Sequence, residues 1–534
     1  MLETIRLLVL LLAVVAAIAL LASRLKTPPA ILLVVTGVAL ALTPGLPRLE
    51  LSPDVVLLIV LPPLIYSAAV RMSWREFRVN LRPIALLAVG GVVFTTLAVA
   101  AATHWLLGFS WPLGILAGAI VSPPDALAPL SIARQLHLPR RLAAILEGEG
   151  LANDAAALVL YRFAVAAVSI GAFSVSHASA TFAAIVVGEA LWGAAVGWVM
   201  LRLRRWTADP SIEILLSILT PFLAYWPPEQ LGGSGVLAAV AAGLYVSWNG
   251  PRLIGAATRI QGVFFWRFFT YLIEAMVFLA TGLQAHRLIA AIGLYPAGEL
   301  AVSATLVTAV VIGARFAWVF PAAYAPRWLM SPARRKDPPP PWQAPFLLSF
   351  TGIRGVVSLA AALAIPDVTR SGDPFPHRDL ILFLTFCVIL VTLVGQGLML
   401  PGVIRWLGLA RLGRREASDA RAEEIDARRR GLEAGAARLD QFAAERRIPD
   451  EVLAPLQALM ADRGHALARH ADDAPEGGAA ARLYDDIALA LVEAERQTVN
   501  ALARQGLLQD PQRLRIEREL DLREAHISNL RGEI

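Results

Sequence analysis

One cysteine, Cys387, is all that the 534 residues contain. It lies in an apolar run, so neither a disulfide framework nor a cysteine-based zinc site can be assembled, and redox chemistry has no footing. Charge is scarce as well: 17% of residues are charged against 57% hydrophobic, and the mean hydropathy is +0.60. That balance excludes an ordinary soluble domain and points to a membrane protein. The scarcity is local. Nearly all apolar runs fall in residues 1–408, while 411–534 are crowded with Arg, Glu and Asp, which predicts a transmembrane domain, 1–408, and a cytoplasmic tail, 409–534. The net charge of +6 does not call for a nucleic-acid partner, because much of the Arg excess lies in short loops between apolar runs, where it sets topology. The first apolar run, Leu7 to Ala22, lacks a basic leader and a small-x-small cleavage site, so it reads as a spanning helix and not a signal peptide.

A span needs roughly 20 mostly apolar residues, fewer where neighbours shelter it. Thirteen stretches qualify, at about 6–23, 29–44, 53–70, 83–106, 111–132, 142–169, 178–203, 211–227, 233–248, 263–284, 298–323, 343–366 and 380–407. The second, eighth and ninth are short, which leaves twelve as the other count. Alternate loops carry Arg24 and Lys26; Arg71, Arg75, Arg78 and Arg82; Arg134, Arg140 and Arg141; Arg202, Arg204 and Arg205; Arg252 and Arg259; and Arg327, Arg334, Arg335 and Lys336. The intervening loops carry only Arg48, Arg287, Arg370 and Arg378. Basic residues concentrate in the cytoplasm, so the N-terminus is expected outside and the tail inside.

Four spans contain groups that a bilayer penalises by roughly 2.5–3.5 kcal/mol each at its centre. The fifth has "VSPPDALAP" with Asp125, and the sixth has "EGEGLANDAAALVLYR" with Glu147, Glu149, Asn153 and Asp154. The tenth has Glu274, and the twelfth has Arg354 in "SFTGIRGVVSLAAALAIP". Pro123 and Pro124 have no N–H to donate, so the fifth helix is expected to break around Asp125. Gly352 and Gly355 bracket Arg354 and make a second break plausible. Fifth and twelfth are equivalent positions in two six-span halves separated by a linker span, the spacing expected of inverted-repeat transporters with broken crossing helices. Along the sixth span, Glu147 and Asp154 share one face, and Glu149 and Asn153 the neighbouring stripe. A carboxylate withdrawn from water holds a proton more readily, which lets a cation and a proton compete for one site. A purely structural network with Arg354 would account for one carboxylate and leave Asp125 or Asp154 unexplained.

"SPPDALAP", "EGEGLANDAAALVLYRFA" and "GIRGVVSLAAALAIP", with "LPPLIYSAA" and "VFLATGLQ", resemble the signature helices of the electroneutral sodium/proton exchangers of the monovalent cation:proton antiporter-1 family, over about residues 5–408. The resemblance implies that Asp154 binds cation (Na+) and proton alternately beside Asn153, and that Asp125 supports the site from the unwound fifth helix. It implies that Glu149 and Arg354 form an intramembrane ion pair. Asn153, where electrogenic relatives have a second Asp, implies one-for-one exchange. Three positions depart from the family's pattern: Gly150 where many members carry Ser, Pro124 where Thr is usual, and Ser67 where many carry an acid. The Pro124 carbonyl can still coordinate, but the cation stays open between Na+, K+ and Li+. Glu274 is a further acid with an accessory or structural role. His104, His177, His286 and His377 read as ordinary interfacial histidines.

The tail patterns "ARLYDDIALALVEAERQTVNALARQGLL" and "PQRLRIERELDLREAHISNL" place apolar residues at three- and four-residue spacing, which predicts amphipathic helices packing on each other or on another subunit. They carry no phosphate loop, Rossmann glycine pattern or metal cluster, and no cofactor is expected. The reading is an all-α polytopic membrane protein, a non-enzymatic homodimeric antiporter of a bacterial inner membrane that exchanges a monovalent cation for H+ by alternating access. A K+/H+ antiporter and a passive cation channel are the alternatives. An intramembrane aspartyl protease on Asp125 and Asp154 lacks the Tyr-Asp and Gly-x-Gly-Asp contexts that chemistry needs.

Overall fold

The computed structural model describes residues 2–25, 27–43, 52–170, 175–207, 209–286, 295–328, 339–369, 372–445, 448–471, 475–505 and 507–531. Lys26, Arg48, Arg287, Arg334, Arg335, Lys336 and Arg370, used above to orient the spans, lie outside these residues, as does the side chain of His177. The chain divides into two compact units, Met1–Arg414 and Arg415–Ile534.

Among the described residues the first unit is built of helices without strands. In chain order they are α1 (Leu2–Leu25), α2 (Pro29–Ala41), α3 (Leu61–Arg71, preceded by the wide π-helical turn Val55–Val60), α4 (Trp74–Val79) and α5 (Leu81–Ala85). A second wide turn, Leu86–Gly91, leads into α6 (Val92–Leu107), and α7 (Trp111–Val121), α8 (Leu127–Gln135), α9 (Arg140–Ile170), α10 (Val175–Arg204) and α11 (Pro210–Gln230) follow. The last are α12 (Val236–Leu253), α13 (Ala256–Leu283), α14 (Ala297–Trp328), α15 (Gln343–Phe350), α16 (Val356–Leu363), α17 (Arg378–Leu390) and, after the wide turn Val391–Gln396, α18 (Gly397–Trp406). With α5–α6, α7–α8, α15–α16 and α17–α18 each taken as one crossing, every expected span has its helical counterpart. Seven helical stretches are long and apolar enough to cross a membrane alone, among the described residues.

The wide turns are anchored by side chains. A π turn leaves backbone carbonyls without their usual i+4 partners, and Trp318 Nε1 donates to the Leu86 carbonyl at 2.8 Å. Two cores flank the centre. Leu113, Leu116 and Ile120 of α7 pack with Val307 and Val311 of α14 and with Ile381, Leu384 and Val388 of α17. Leu61, Ile65 and Ala69 of α3 pack with Val236, Val240 and Leu244 of α12 and with Leu151, Ala155 and Leu158 of α9. Ala164 of α9 joins the first core, so α9 lies between the two and carries the polar residues Glu147, Glu149, Asn153 and Asp154 with it. Apolar side chains such as Leu20, Leu191, Ile260 and Phe264 are exposed, the surface that a bilayer would cover.

The second unit contains the rest of α19 (Leu409–Glu445), then α20 (Asp450–Ala471), α21 (Pro475–Arg504) and α22 (Asp510–Arg531). Helix α21 starts earlier than the "DDAPEGGAAA" break suggests, because Pro is tolerated in a first helical turn and the alanines that follow favour helix. Arg496 links α21 to α22, with Nη2 at 2.5 Å from Glu524 and 3.0 Å from Asp521.

Candidate cation and proton site

Two helices break where the sequence places prolines and glycines. Helix α7 ends at Val121 and α8 begins at Leu127; α15 ends at Phe350 and α16 begins at Val356. The two unwound stretches meet, with Asp125 N donating to the Ile353 carbonyl at 2.6 Å. Four helix ends therefore converge, two with unpaired carbonyls and two with unpaired N–H groups. At the end of α7, Arg354, 1% exposed, donates from Nε to the Val121 carbonyl at 2.9 Å and from Nη2 to that of Ser122 at 3.3 Å. Its Nη1 reaches the Gly352 carbonyl, and its backbone N donates to Thr392 Oγ1 at 3.0 Å, a hydroxyl carried in the third wide turn. At the end of α15, Arg315 Nε donates to the Leu348 carbonyl at 3.0 Å. A cation at each C-terminal end complements the partial negative charge there. At the opposite polarity, Asp125 Oδ1 accepts from Leu127 N at 2.9 Å and caps α8. Gly355 opens α16 against the same carboxylate: a Cβ at this position would overlap Asp125.

Helix α9 delivers Glu147, Gly150, Leu151 and Asp154 to a cavity of about 90 Å³. Asp125, Glu274 of α13 and Ser358 of α16 line it too. Asn153, 0% exposed, donates Nδ2 to the Pro124 carbonyl at 2.5 Å. A carbonyl only accepts, so the amide turns its oxygen away from Pro124. Among the described residues, Asn153 Oδ1, Asp125 Oδ2 and Ser358 Oγ are buried without a hydrogen-bond partner. A buried acceptor left unmet costs about 1–3 kcal/mol, and oxygens of this kind are what a hard cation takes in place of its water shell. Gly150 fits for a steric reason. A Cβ there would overlap that of Ala126 in the unwound stretch, so the serine that many members carry has no room.

The expected pairing of Glu149 with Arg354 is corrected. Glu149, 2% exposed, is held by Arg315, with Nη1 to Oε1 at 2.6 Å and Nη2 to Oε2 at 2.9 Å. All three guanidinium nitrogens of Arg354 go to carbonyls of the broken helices instead. The bidentate fork neutralises Glu149 and leaves Asp125 and Asp154 as the carboxylates in question. Ser67 is not part of the site either. Leu61, Leu64, Ile65 and Ala68 face the site cavity, whereas Ser67 lies on the neighbouring stripe of α3 with Tyr66, Val70 and Arg71 and faces a different one.

Arg315, Ser358, Glu189 and Glu213 escaped the sequence reading. Arg315, Glu189 and Glu213 each sit as a lone charge in an apolar span, and that signal was available; Ser358 gave none. Glu189 is a cap: its carboxylate accepts from the backbone N of Ser234, Gly235 and Leu237 at 2.5, 3.0 and 3.1 Å. The described histidines serve local structure. His104 Nδ1 lies 2.6 Å from the Phe109 carbonyl, His286 Nδ1 lies 2.8 Å from that of Leu283, and His377 stacks on Phe109.

A family profile described as "Sodium/hydrogen exchanger, transmembrane" matches residues 10–406. The chain is 34% identical to the uncharacterized Na(+)/H(+) exchanger Rv2287 of Mycobacterium tuberculosis, over 97% of this chain and 96% of that one. It is 33% identical to the sodium, potassium, lithium and rubidium/H(+) antiporter of Bacillus subtilis, over 70% and 57% of the two chains. Among solved structures, the sodium proton antiporter MjNhaP1 of Methanocaldococcus jannaschii superposes with a TM-score of 0.60 at 18% identity, over 76% of this chain and 99% of that one, a likeness of fold. Two broken helices crossing at buried carboxylates, and a match running through both breaks, lead to one conclusion: the chain belongs to the sodium/hydrogen exchanger family of multi-pass membrane proteins.

Proposed function

We propose that the protein exchanges one monovalent cation, Na+ first, for one proton, with Asp154 binding the two in turn. The observation that carries this reading is that unpartnered oxygens of Asp125 and Ser358 line the cavity that Asp154 faces, with that of Asn153 buried behind the Pro124 stretch, among the described residues. Pro124 positions Asn153 through its carbonyl, and Glu274 contributes from the far wall. Each occupant carries one positive charge, so a cycle that binds a proton on one side and a cation on the other moves no net charge. A neutral Asn153 beside Asp154 supports that stoichiometry. On α9 the cavity lining runs from Glu147 to Asp154, which supports entry from the Arg140 end of the helix. Exposure of the opposite side requires the α7, α14, α17 group to move against the α3, α12 group, which is alternating access.

The basic loops support a bacterial inner-membrane orientation with the N-terminus outside and the tail in the cytoplasm. The division into membrane domain 1–408 and tail 409–534, a homodimer, and a regulatory or dimer-supporting tail belong to the same proposal. K+/H+ exchange is the second reading, favoured by the Bacillus subtilis relative, a sodium, potassium, lithium and rubidium/H(+) antiporter.

Proteoliposomes holding a pH gradient test this directly. Na+, Li+ and K+ are added separately to wild type and Asp154→Asn with the membrane potential clamped. Saturable collapse of the gradient by wild type and none by the variant is expected, and the most effective ion names the cargo. Normal exchange by Asp154→Asn removes the carboxylate assignment, and a current through wild type replaces exchange with a channel.

A further inference from the structure

A second and larger cavity, of about 690 Å³, lies where the ends of α3, α10 and α12 meet the starts of α11 and α13. Exchange as proposed above makes no use of it. Arg204 and Glu213 both line it, and both are buried, at 5% and 4% exposure. Among the described residues, Nε and Nη2 of Arg204 and Oε2 of Glu213 have no hydrogen-bond partner, and no ion pair joins the two. Two opposite charges are thus held out of water beside one cavity without satisfying each other, an arrangement that is strongly unfavourable unless something else neutralises both.

The remaining lining indicates what that partner is. Arg71 and Arg267 add positive charge, whereas Val70, Ile214, Val246, Ile254 and Val263 make much of the wall apolar. Arg259 is fixed at one end, its Nη1 donating to the Ile254 carbonyl at 2.7 Å and to that of Pro251 at 3.2 Å. Val263 is 62% exposed, and Ile260 and Phe264 beside it on α13 are 70% and 73% exposed, so this side of the cavity continues into an apolar helix surface of the kind that faces acyl chains. A free phosphate would answer Arg204 but leave Glu213 and the apolar wall unmet. An anionic lipid without an amine would likewise leave Glu213 unmet.

We propose that this cavity binds an aminophospholipid, with its phosphate on Arg204, its ammonium toward Glu213 and its acyl chains leaving past Val263 along α13. Guanidinium and phosphate make charge-assisted hydrogen bonds, and a primary ammonium supplies the donors that a carboxylate accepts. The headgroup supplies the charges that the protein leaves unpaired.

Native mass spectrometry of the full-length, delipidated protein tests this, with phosphatidylethanolamine, phosphatidylglycerol or inorganic phosphate added. Wild type is expected to hold phosphatidylethanolamine at least about tenfold more tightly than phosphatidylglycerol, the effect of one charge-assisted contact. Arg204→Gln is expected to weaken phosphatidylethanolamine by a similar factor, and Glu213→Gln to erase the preference between the two lipids. Equal binding of both lipids by wild type, unchanged retention in Arg204→Gln, or displacement by inorganic phosphate overturns the proposal. Should Arg204→Gln fail to fold, Val263→Trp, which fills the cavity mouth from an exposed position, decides: retention of the lipid by that variant overturns it equally.

Discussion

Glu149 has both carboxylate oxygens on Arg315, and Arg354 sits among carbonyls, so two buried arginines serve different ends. Removing one partner of a buried ion pair costs about 3–5 kcal/mol, because the other charge is left uncompensated. Arg315→Gln should lower thermal stability by about that amount, and adding Glu149→Gln should recover part of it. Arg354→Gln should show little coupling to Glu149→Gln; a double-mutant cycle in which Arg354 is the more strongly coupled partner would return Glu149 to it. Gly150 gives a second expectation at this scale. Gly150→Ser forces a Cβ into that of Ala126, an overpacking of about 1–3 kcal/mol, and should depress exchange by displacing the stretch that carries Asp125. Ala126→Gly in the same protein should restore it. Undiminished exchange by Gly150→Ser alone would show that the unwound stretch yields. The carboxylates were legible as charges in apolar spans, and so was Arg354. Its partners were not, because Glu149 meets a guanidinium 166 residues away in sequence and nothing in the local pattern ranks Arg315 above Arg354.

The breaks in the fifth and twelfth spans were readable because their cause is local: Pro123 and Pro124 cannot donate, and glycines flank Arg354. The wide turns before α3, before α6 and before α18 were not, since they depend on partners such as Trp318 reaching in from another helix. Periodicity placed Ser67 on α3 but not on a cavity, because the stripe that faces Asp154 is fixed by which helices pack on either side. In the tail, α21 and α22 meet through Arg496, and the Glu493 carboxyl beside it is held below the usual carboxylate range, chiefly by the hydrogen bond from Gln497 and then by Arg496. A carboxyl with a depressed folded-state pKa contributes stability above its unfolded value, about 4.3 for Glu, and loses it as pH falls through the folded one. Amide protection in α21 and α22 of the full-length protein, corrected for intrinsic exchange rates, should therefore fall below about pH 4. Arg496→Gln should show reduced protection already at pH 7 and a flatter pH response; identical profiles for the two proteins would mean that these charges do not hold the helices together.

For the membrane unit as a whole, exchange as proposed requires one side of the site to be shut while the other is open. The cavity follows α9 from Asp154 back to Glu147, and Arg162 lies eight residues the other way, about 12 Å along the axis. There Arg162 Nη2 meets Glu229 Oε1 of α11 at 2.9 Å, joining the helix that carries Asp154 to α11, whose Tyr225 packs in the core of α3 and α12. The pair is partly exposed, at 35% and 29%, so it is worth about 0.2–1 kcal/mol. That is too little to lock a conformation and enough to shift its population by up to about fivefold. The single cysteine makes this measurable. In a Cys387→Ser background carrying Tyr161→Cys, Glu229→Gln should raise labelling by a membrane-impermeant thiol reagent, added on the side away from the Arg-rich loops, by up to about fivefold. Exchanging the charges, Arg162→Glu with Glu229→Arg, should return labelling toward the starting level. If Glu229→Gln leaves labelling unchanged, closure on that side rests on the packing of α9 against its neighbours, and the ion pair is only a surface contact.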